Sequence, residues 1–369
     1  MIELIDLTKE YPGSSQAAVE KLNLTIEKGE TMALLGPSGC GKTSALNMIV
    51  GLEKPTAGDV RVNGQSIVPI PVEKRGIGLV FQDYAVFTSM TVWKNLAFGL
   101  EVKKTPKEIV RATVAETAEF LGLTDKLGLK ARHLSGSELQ RVAIGRTLAT
   151  KPSILLLDEP LSNLEPEARL AMRQELRRLR QELGLTIVYV THDQVEALSL
   201  ADRLAIMSYG RLVQVEKTAL ILERPKVVQV AQFLGSPPMN VFSGFYHAEN
   251  GYPAFRQGAQ DFRLPVGQLP PAVKPGSANF YYLGIRPEDL TWSDPKAALA
   301  TGQVTGLESR GFDCVVNVTQ GDLEIKALAK DSIPGWGETV SVAAPADKFF
   351  LYDRYGQLMS SDLTGFERG

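Results

Sequence analysis

The sequence has few cysteines, no strong excess of charge and no long hydrophobic run. Its 369 residues include only Cys40 and Cys314, too few for a disulfide framework, which favours a reducing compartment. The formal net charge of −2 excludes the global basic excess typical of nucleic-acid-binding proteins. The first six residues contain acids and no apolar core, so we expect no signal peptide. Because no apolar run is long enough to span a bilayer, any role at a membrane is expected to depend on partners.

A glycine-rich loop dominates what the sequence does contain. It fits the phosphate-loop pattern G-x-x-x-x-G-K-[ST] without a mismatch. A short apolar run over 31–35 predicts a buried strand before the loop, and 43–50 predicts a helix that stops at Gly51. Lys42 is expected to meet the β- and γ-phosphates, and Thr43 to ligate Mg²⁺. A glycine turn with an accidental lysine is the alternative. The predicted nucleotide-binding residues here are Gly36, Pro37, Ser38, Gly39, Cys40, Gly41, Lys42, Thr43 and Ser44.

Three further apolar runs each predict a buried strand that ends in polar residues. The run over 77–81 leads into Gln82, the run over 154–157 into Asp158 and Glu159, and the run over 186–190 into His192. Open α/β sheets place ligand contacts at such strand ends. In a phosphate-loop protein the first acid can hold the Mg²⁺ shell, and the second can orient or deprotonate the attacking water. A solvated acidic turn and a structural histidine are the alternatives.

A capping box predicts one more helix N-terminus. Ser135 precedes an amphipathic stretch that continues to Ala149, and Glu138 follows three residues later. The box alone explains these residues structurally. A helix N-terminus can also offer N–H groups to a phosphate. Because the phosphate loop already serves the chain's own nucleotide, that phosphate is expected to belong to a second chain.

Two other features have both a structural and a functional interpretation. Tyr11 lies before Pro12 and Gly13, where spacing alone favours a ring packed at a strand end over one stacked on a purine. The stretch after Glu165 predicts a long helix that begins with proline and ends at Gly184. Its arginines alternate with Glu175 and Glu182, which favours a solvated face over a nucleic-acid patch.

Taken together, residues 1–235 resemble the ATPase of an ABC transporter. The resemblance makes 36–43 the Walker A loop, Gln82 the Q-loop residue, and 162–165 the D-loop. It implies that Glu159, His192 and Gln82 are catalytic, that Thr43, Gln82 and Asp158 hold Mg²⁺, and that Tyr11 stacks on the adenine of ATP. The signature region 134–138 implies that Ser135, Gly136 and Ser137 bind the ATP of a facing cassette.

The signature and the D-loop depart from the family pattern. Ser137 replaces a glycine and Glu138 a glutamine, so a side chain and a negative charge stand near the expected partner phosphates. Glu165 replaces the usual aspartate. Reduced turnover is one consequence. A regulatory partner of another, fully active cassette is an alternative to an active ATPase for the same reason.

Composition changes near Gly235, which predicts two domains, 1–235 and 236–369. Short apolar runs separated by glycines predict a small all-β barrel resembling an oligonucleotide-binding fold, without the basic and aromatic interleaving of a nucleic-acid binder. The predicted strands are 280–285, 303–307, 313–318 and 323–327. With the resemblance of residues 1–235, the predicted fold class is an α/β phosphate-loop NTPase of the ABC cassette type with a helical subdomain, followed by this OB-like domain.

The stretches 233–240 and 284–289 resemble the regulatory tail of sugar-importer and glycerol-3-phosphate-importer ATPases. This resemblance implies integral-membrane permease subunits, contacted through 82–95, and a solute-binding protein reached indirectly. It implies a homodimer, with a heterodimer as the alternative, on the cytoplasmic side of the inner membrane as a peripheral subunit.

A soluble ABC ATPase acting on nucleic acid or the ribosome is the alternative to this transport function. One cassette and no repeat argue against it, so no nucleic acid is expected as a partner.

Overall fold

The computed structural model describes residues 1–249, 252–257, 260–263, 273, 280–361 and 363. The chain forms two compact units, Met1–Thr218 and Ala219–Gly369. Throughout the described ranges, every helix falls short of the length and apolarity that a bilayer crossing requires.

The first unit contains two sheets and six helices. Its strands are β1 (Ile2–Lys9), β2 (Val19–Ile26), β3 (Thr31–Leu35), β4 (Ala57–Val62), β5 (Gln65–Ser66), β6 (Ile77–Val80), β7 (Ile154–Asp158), β8 (Thr186–Thr191), β9 (Arg203–Ser208) and β10 (Arg211–Lys217). Its helices are α1 (Lys42–Val50), α2 (Val92–Val102), α3 (Lys107–Phe120), α4 (Gly136–Leu148), α5 (Pro166–Leu183) and α6 (Gln194–Leu200). Its short 3₁₀ turns cover Val72–Lys74, Thr124–Lys126 and Ala131–His133.

A six-stranded sheet forms the centre of the first unit, in the order β10-β9-β3-β8-β7-β6. All neighbours run parallel except β10 and β9. Every residue of β3 and β8 is buried, as continuous apolar runs predict for a parallel sheet. The register pairs Leu35 with Thr191 and Asp158 with Val190. The carboxyl ends of β3, β7 and β8 therefore lie at one edge of the sheet.

A second, antiparallel sheet packs its apolar side into the same core, in the order β2-β1-β4-β5. Leu22, Leu24 and Ile26 alternate with exposed residues along β2 and are buried, because successive side chains of a strand point to opposite faces.

Helices α2, α3 and α4 pack against one another and form the predicted helical subdomain. A Cβ on Gly145 would lie 2.7 Å from the Leu96 side chain and 2.8 Å from that of Leu121. This glycine therefore permits the close approach of α4 to its neighbours. A larger residue would push them apart.

Helix α5 begins and ends where the sequence predicts, with Pro166 in its first turn and Gly184 as a left-handed C-cap. Its arginines are not only a solvated face. Arg180 pairs with Asp202 at 2.8 Å, and Arg169 donates to the Leu164 carbonyl at 2.8 Å. These two side chains join the helix to the rest of the unit, because guanidinium groups can bond several acceptors at once.

The second unit begins earlier than the predicted boundary at 235. Its helices α7 (Thr218–Glu223) and α8 (Val228–Phe233) precede that point. Val228 of α8 lies in a buried cluster with Phe350 and Tyr352, so apolar packing joins this stretch to the second unit. The functional boundary at 235 stays a prediction.

The described strands of the second unit form two antiparallel sheets around one apolar core. One has the order β13-β12-β11-β14-β20-β21 and the other β15-β19-β16-β17-β18. The predicted β-rich domain is confirmed, and the predicted strand 280–285 has the observed bounds. The strands are β11 (Asn240–Glu249), β12 (Tyr252–Gln257), β13 (Gln260–Arg263), β14 (Phe280–Ile285), β15 (Thr291–Trp292), β16 (Ala300–Ser309), β17 (Cys314–Gln320), β18 (Leu323–Ala329), β19 (Thr339–Ala343), β20 (Phe349–Tyr352) and β21 (Leu358–Ser360). The 3₁₀ turns cover Pro287–Asp289, Pro295–Ala297 and Ala346–Lys348.

Candidate functional site

The phosphate loop joins β3 to α1 and encloses its lysine. Lys42 is only 5% exposed, and its Nζ donates to the carbonyls of Gly36 at 2.8 Å and Pro37 at 2.9 Å. A buried ammonium group loses its hydration, and hydrogen bonds to neutral carbonyls offset only part of that cost. The loop therefore holds a buried positive charge at the N-terminus of a helix, where the helix dipole also favours anions.

Two glycines of the loop are required by close backbone contacts. Gly41, the N-cap of α1, has φ of 99°, and a Cβ there would lie 2.1 Å from the Ala18 carbonyl oxygen. A Cβ on Gly36 would lie 2.2 Å from the Met207 carbonyl oxygen. Both positions exclude a side chain, since no β-carbon can approach an oxygen so closely. The glycines of the motif are thus fixed by the fold as well as by phosphate binding.

Thr43 and Asp158 meet across the edge of the sheet. The Thr43 Oγ1 donates to Asp158 Oδ1 at 3.2 Å. Burial raises the pKa of Asp158, the Thr43 hydroxyl bond lowers it, and the adjacent Glu159 carboxylate raises it further. A neighbouring cation would stabilise the ionised form of the Asp158 carboxyl, which burial and Glu159 disfavour.

The carboxylate of Glu159 lies between two loops. Its Oε2 accepts from Gln82 Nε2 at 3.2 Å, and its Oε1 is 3.2 Å from His192 Nδ1. The Glu159 side chain is 19% exposed, whereas that of His192 is 55% exposed. The structure therefore brings the three predicted catalytic residues into direct contact.

The turn that carries Glu159 has an uncommon backbone conformation. Glu159 has φ of 45°, a left-handed conformation that costs on the order of 1–2 kcal/mol for a residue with a side chain. Its N–H donates to the Val190 carbonyl at 2.9 Å, and its carbonyl accepts from Ser162 Oγ at 3.0 Å. Asn163 donates to the Gln82 carbonyl at 2.8 Å. These bonds hold the turn and join the predicted D-loop to the Q-loop residue.

A buried acid, Glu196, stabilises the loop that carries His192. Thr191 Oγ1 donates to Glu196 Oε2 at 2.8 Å and accepts from the Asp193 N–H at 3.0 Å. Glu196 is 3% exposed, and burial raises its pKa to about 7. Among the residues that the structure describes, none forms a hydrogen bond with its Oε1. The residues on either side of His192 are thereby fixed by one buried network.

Tyr11 lies beside the beginning of α1. Its hydroxyl donates to the Glu53 carboxylate at 2.6 Å and lies 3.2 Å from Ser44 Oγ, while Lys9 Nζ is 5.0 Å from its ring centre. Tyr11 is 37% exposed. The structure thus places Tyr11 next to Ser44, within the predicted nucleotide-binding set. Stacking on adenine stays a prediction.

The signature residues form a separate group at the N-terminus of α4. The capping box is confirmed: Ser135 Oγ accepts from the Glu138 N–H at 3.4 Å, and Glu138 Oε2 accepts from the Ser135 N–H at 2.8 Å. The Ser137 hydroxyl lies 3.2 Å from that of Ser135. Ser135 and Gly136 are exposed. The Ser135 and Ser137 hydroxyls bond within the group, whereas Glu138 also pairs with Lys126. The role of the group toward a second chain's nucleotide stays a prediction.

These residues have the chemistry that Mg²⁺ and a nucleotide triphosphate need. The hydroxyl of Thr43, the amide of Gln82 and the carboxylate of Asp158 are oxygen donors, which a small hard cation prefers. The buried Lys42 ammonium and the constrained glycines of the loop suit a polyanion. The site therefore fits both groups.

Comparison with known proteins identifies the family. The ABC transporter family profile matches residues 19–162. The trehalose/maltose import ATP-binding protein of Thermococcus litoralis is 38% identical, over 96% of this chain and 97% of its own length. The sn-glycerol-3-phosphate import ATP-binding protein of Agrobacterium fabrum is also 38% identical, over 96% and 99%. This chain belongs to the ABC transporter family.

Other members of the family extend the comparison. The xylose/arabinose import ATP-binding protein of Haloferax volcanii is 38% identical, over 95% of this chain and 93% of its own length. A dimeric ATP-binding cassette bound to ADP and phosphate in a post-hydrolysis state superimposes with a TM-score of 0.54 and 32% identity, covering 59% of this chain and 99% of that cassette. The chain is accordingly an ABC ATPase that binds ATP.

Sequence patterns missed three residues that contact this ABC ATPase site or its signature. Glu53 accepts from the Tyr11 hydroxyl, Glu196 accepts from Thr191 next to His192, and Lys126 pairs with Glu138. Each lies 5–42 positions along the chain from the residue that it bonds. Asp193 and Glu196 have the spacing of a helix N-cap and the third residue after it, and the Glu196 N–H donates to Asp193 Oδ1 at 3.0 Å. This spacing is the sequence signal that could have drawn attention to Glu196.

Proposed function

We propose that this protein powers solute import through an ABC transporter and that its solute is a sugar or a glycerol-3-phosphate-like compound. The observation that carries the ATPase role is the Glu159 carboxylate, which lies between Gln82 and His192 at the same sheet edge as the phosphate loop. The solute class is supported by similarity to sugar and glycerol-3-phosphate import subunits along nearly the full chain.

The phosphate loop and Tyr11 bind the nucleotide in this proposal. Residues 36–44 surround the phosphates, and Lys42 exchanges its loop carbonyls for the β- and γ-phosphate oxygens. The Tyr11 ring stacks on the adenine, with its hydroxyl held by Glu53. This role is supported by the burial of Lys42 and by the position of Tyr11 beside Ser44.

Thr43, Gln82 and, through water, Asp158 would hold Mg²⁺, which when bound neutralises charge on the phosphates. The proposed donor set is supported by the hydrogen bond between Thr43 and Asp158. Burial raises the pKa of Asp158. Because burial disfavours the ionised Asp158 carboxylate, a bound cation nearby would stabilise it.

Hydrolysis is assigned to the residues around Glu159. Glu159 orients the attacking water and accepts its proton, and His192 donates a hydrogen bond to the γ-phosphate. Gln82 holds the other carboxylate oxygen, so the proton acceptor keeps one orientation. Support comes from the two 3.2 Å contacts of this carboxylate and from its limited exposure.

A second cassette completes the site in this proposal. Ser135, Gly136 and Ser137 of one chain bind the ATP held by the other, in a homodimer or in a heterodimer with a related cassette. The exposure of Ser135 and Gly136 and the dimeric relative bound to ADP and phosphate support this arrangement. Residues 236–369 are proposed as a regulatory and dimerisation domain.

The membrane partners are proposed from the family. Residues 82–95 would contact integral-membrane permease subunits, and a solute-binding protein would act through them. Thr88, Ser89 and Lys94 depart from the residues usual in this segment of the family, so the segment alone does not identify the permease. The working location is the cytoplasmic face of the cell membrane.

Phosphate release from Mg-ATP by the purified full chain tests the ATPase and the dimer together. We expect the rate per chain to rise with protein concentration, because each site needs residues of a second chain. A rate per chain that does not change across the dissociation range of the dimer would contradict the shared site. No phosphate release, with or without permease, would contradict the ATPase role.

A further inference from the structure

An ion pair lies directly behind the signature of α4. Lys126, at the end of the 3₁₀ turn Thr124–Lys126, donates to Oε1 of Glu138. The other oxygen, Oε2, accepts from the Ser135 N–H at 2.8 Å. Both oxygens of the Glu138 carboxylate are therefore occupied within the chain. The two side chains are 30% and 18% exposed.

The charge of this carboxylate would otherwise stand beside the signature. Glu138 is in the first turn of α4, three residues after Ser135. A glutamine would accept the same bond from Ser135 without carrying a charge. The Lys126 bond, followed by the Ser135 backbone bond, lowers the pKa of Glu138, so the carboxylate is ionised at neutral pH.

We propose that Lys126 neutralises Glu138 and thereby allows an anionic phosphate of a facing chain to approach Ser135. Lys126 is thus a positioning residue that makes a glutamate acceptable where the family usually has a glutamine. This inference rests on the proposed function, because it requires the shared site between two cassettes.

A contribution to fold stability alone does not explain the pair. Partly exposed ion pairs contribute little to stability, because solvent screens the two charges, and the capping box already holds the turn through Ser135. The electrostatic effect on a nearby phosphate is different, because the phosphate carries a multiple charge. Loss of Lys126 should therefore affect nucleotide-driven association more than folding.

The test uses ATP-driven dimerisation of the full chain carrying Glu159→Gln, which reports the shared site without hydrolysis. Lys126→Met in this background is expected to raise the ATP concentration at half-maximal dimer by about tenfold, which corresponds to about 1.4 kcal/mol, because the uncompensated Glu138 charge repels the phosphate. The double change Lys126→Met with Glu138→Gln is expected to restore dimerisation to within about twofold, because no charge is left to compensate.

Lys130→Met is the matched control. Lys130 is exposed in the same region and its substitution removes the same charge, so dimerisation should follow the background protein. The thermal unfolding temperature of each variant should shift by no more than that of the Lys130→Met control. This comparison separates the electrostatic role of Lys126 from a folding defect.

The outcomes distinguish the two proposals. Unaltered dimerisation of the Lys126→Met protein, or a double variant as impaired as Lys126→Met alone, would overturn the role of Lys126 while leaving the shared site intact. If the Glu159→Gln background itself forms no ATP-dependent dimer, the shared site proposed above fails and the inference falls with it.

Discussion

The imidazole Nδ1 of His192 lies 3.2 Å from Oε1 of Glu159, although the two residues follow different strands. This separation makes a hydrogen bond when Nδ1 carries the proton. Gln82 donates to the other oxygen at 3.2 Å, so residues from three loops converge on one carboxylate. The arrangement orients Glu159, which is the residue we propose as the proton acceptor.

Replacing Glu159 by glutamine is expected to keep ATP binding and to lower turnover about a hundredfold or more, because general-base catalysis supplies factors of that size. The amide keeps nearly the same shape but accepts no proton. Phosphate release and nucleotide binding of the purified full chain measure the two effects. Glu167→Gln, an exposed change eight positions away on α5, is the control. Turnover at the wild-type rate would show that another group acts as the base.

The sequence predicted this cluster because parallel strands end at one edge. Polar residues after β6, β7 and β8 could be assigned to the same place once the phosphate loop followed β3. The contact of Gln82 with Glu159 required the loops themselves, whose paths the strand pattern does not specify. The Lys126–Glu138 pair and the bond from Tyr11 to Glu53 join segments that are distant in sequence. Such contacts produce no periodic pattern of residues from which they could be predicted.

The second unit was predicted less fully. The spacing of apolar runs gave the strands near 280–329, because alternation is a local signal. Their division into two sheets depends on long-range pairing such as that of β14 with β20. The packing of α8 with this unit is likewise a tertiary contact, and composition alone placed the boundary after it.

Changes at Tyr11 separate the ring from its hydroxyl. Tyr11→Phe should bind ATP within about twofold of the wild type, whereas Tyr11→Ala should bind about tenfold more weakly, because stacking on a base contributes about 1–3 kcal/mol. Titration with a fluorescent ATP analogue checks both. Equal weakening by the two changes would assign the effect to the hydroxyl bonds with Glu53 and Ser44 instead of to stacking.

An alanine at Gly41 is expected to abolish measurable ATP binding, since its Cβ would lie 2.1 Å from the Ala18 carbonyl oxygen. The loop or the beginning of α1 would have to move. Gly29→Ala is the matched control, because Gly29 also has positive φ but a Cβ there meets nothing within 4 Å. Nucleotide titration and circular dichroism compare the two proteins. Normal ATP binding by the Gly41 variant would contradict the close contact.

Glu196 gives a prediction about pH. Its carboxyl has a pKa of about 7 in the folded protein, against 4.5 ordinarily, so the folded chain binds more protons than the unfolded chain between these values. Stability therefore falls as pH rises through this window, and the penalty is complete above pH 7. Glu196→Gln removes the penalty while keeping an acceptor for Thr191.

The expected gain in unfolding free energy is on the order of 2–3 kcal/mol at pH 8 and much smaller at pH 5. Urea unfolding of the full chain at both pH values measures it, with the exposed change Glu167→Gln as reference. A gain of the same size at both pH values would show that burial does not shift this carboxyl.

Co-purification tests the central claim most directly. Tagged full-length protein, drawn from gently solubilised membranes of the organism that carries it, is expected to bring two integral-membrane permease subunits and a solute-binding protein whose ligand is a sugar or a glycerol-3-phosphate-like compound. Recovery of ribosomes or nucleic acid with no membrane subunit would contradict the transport role.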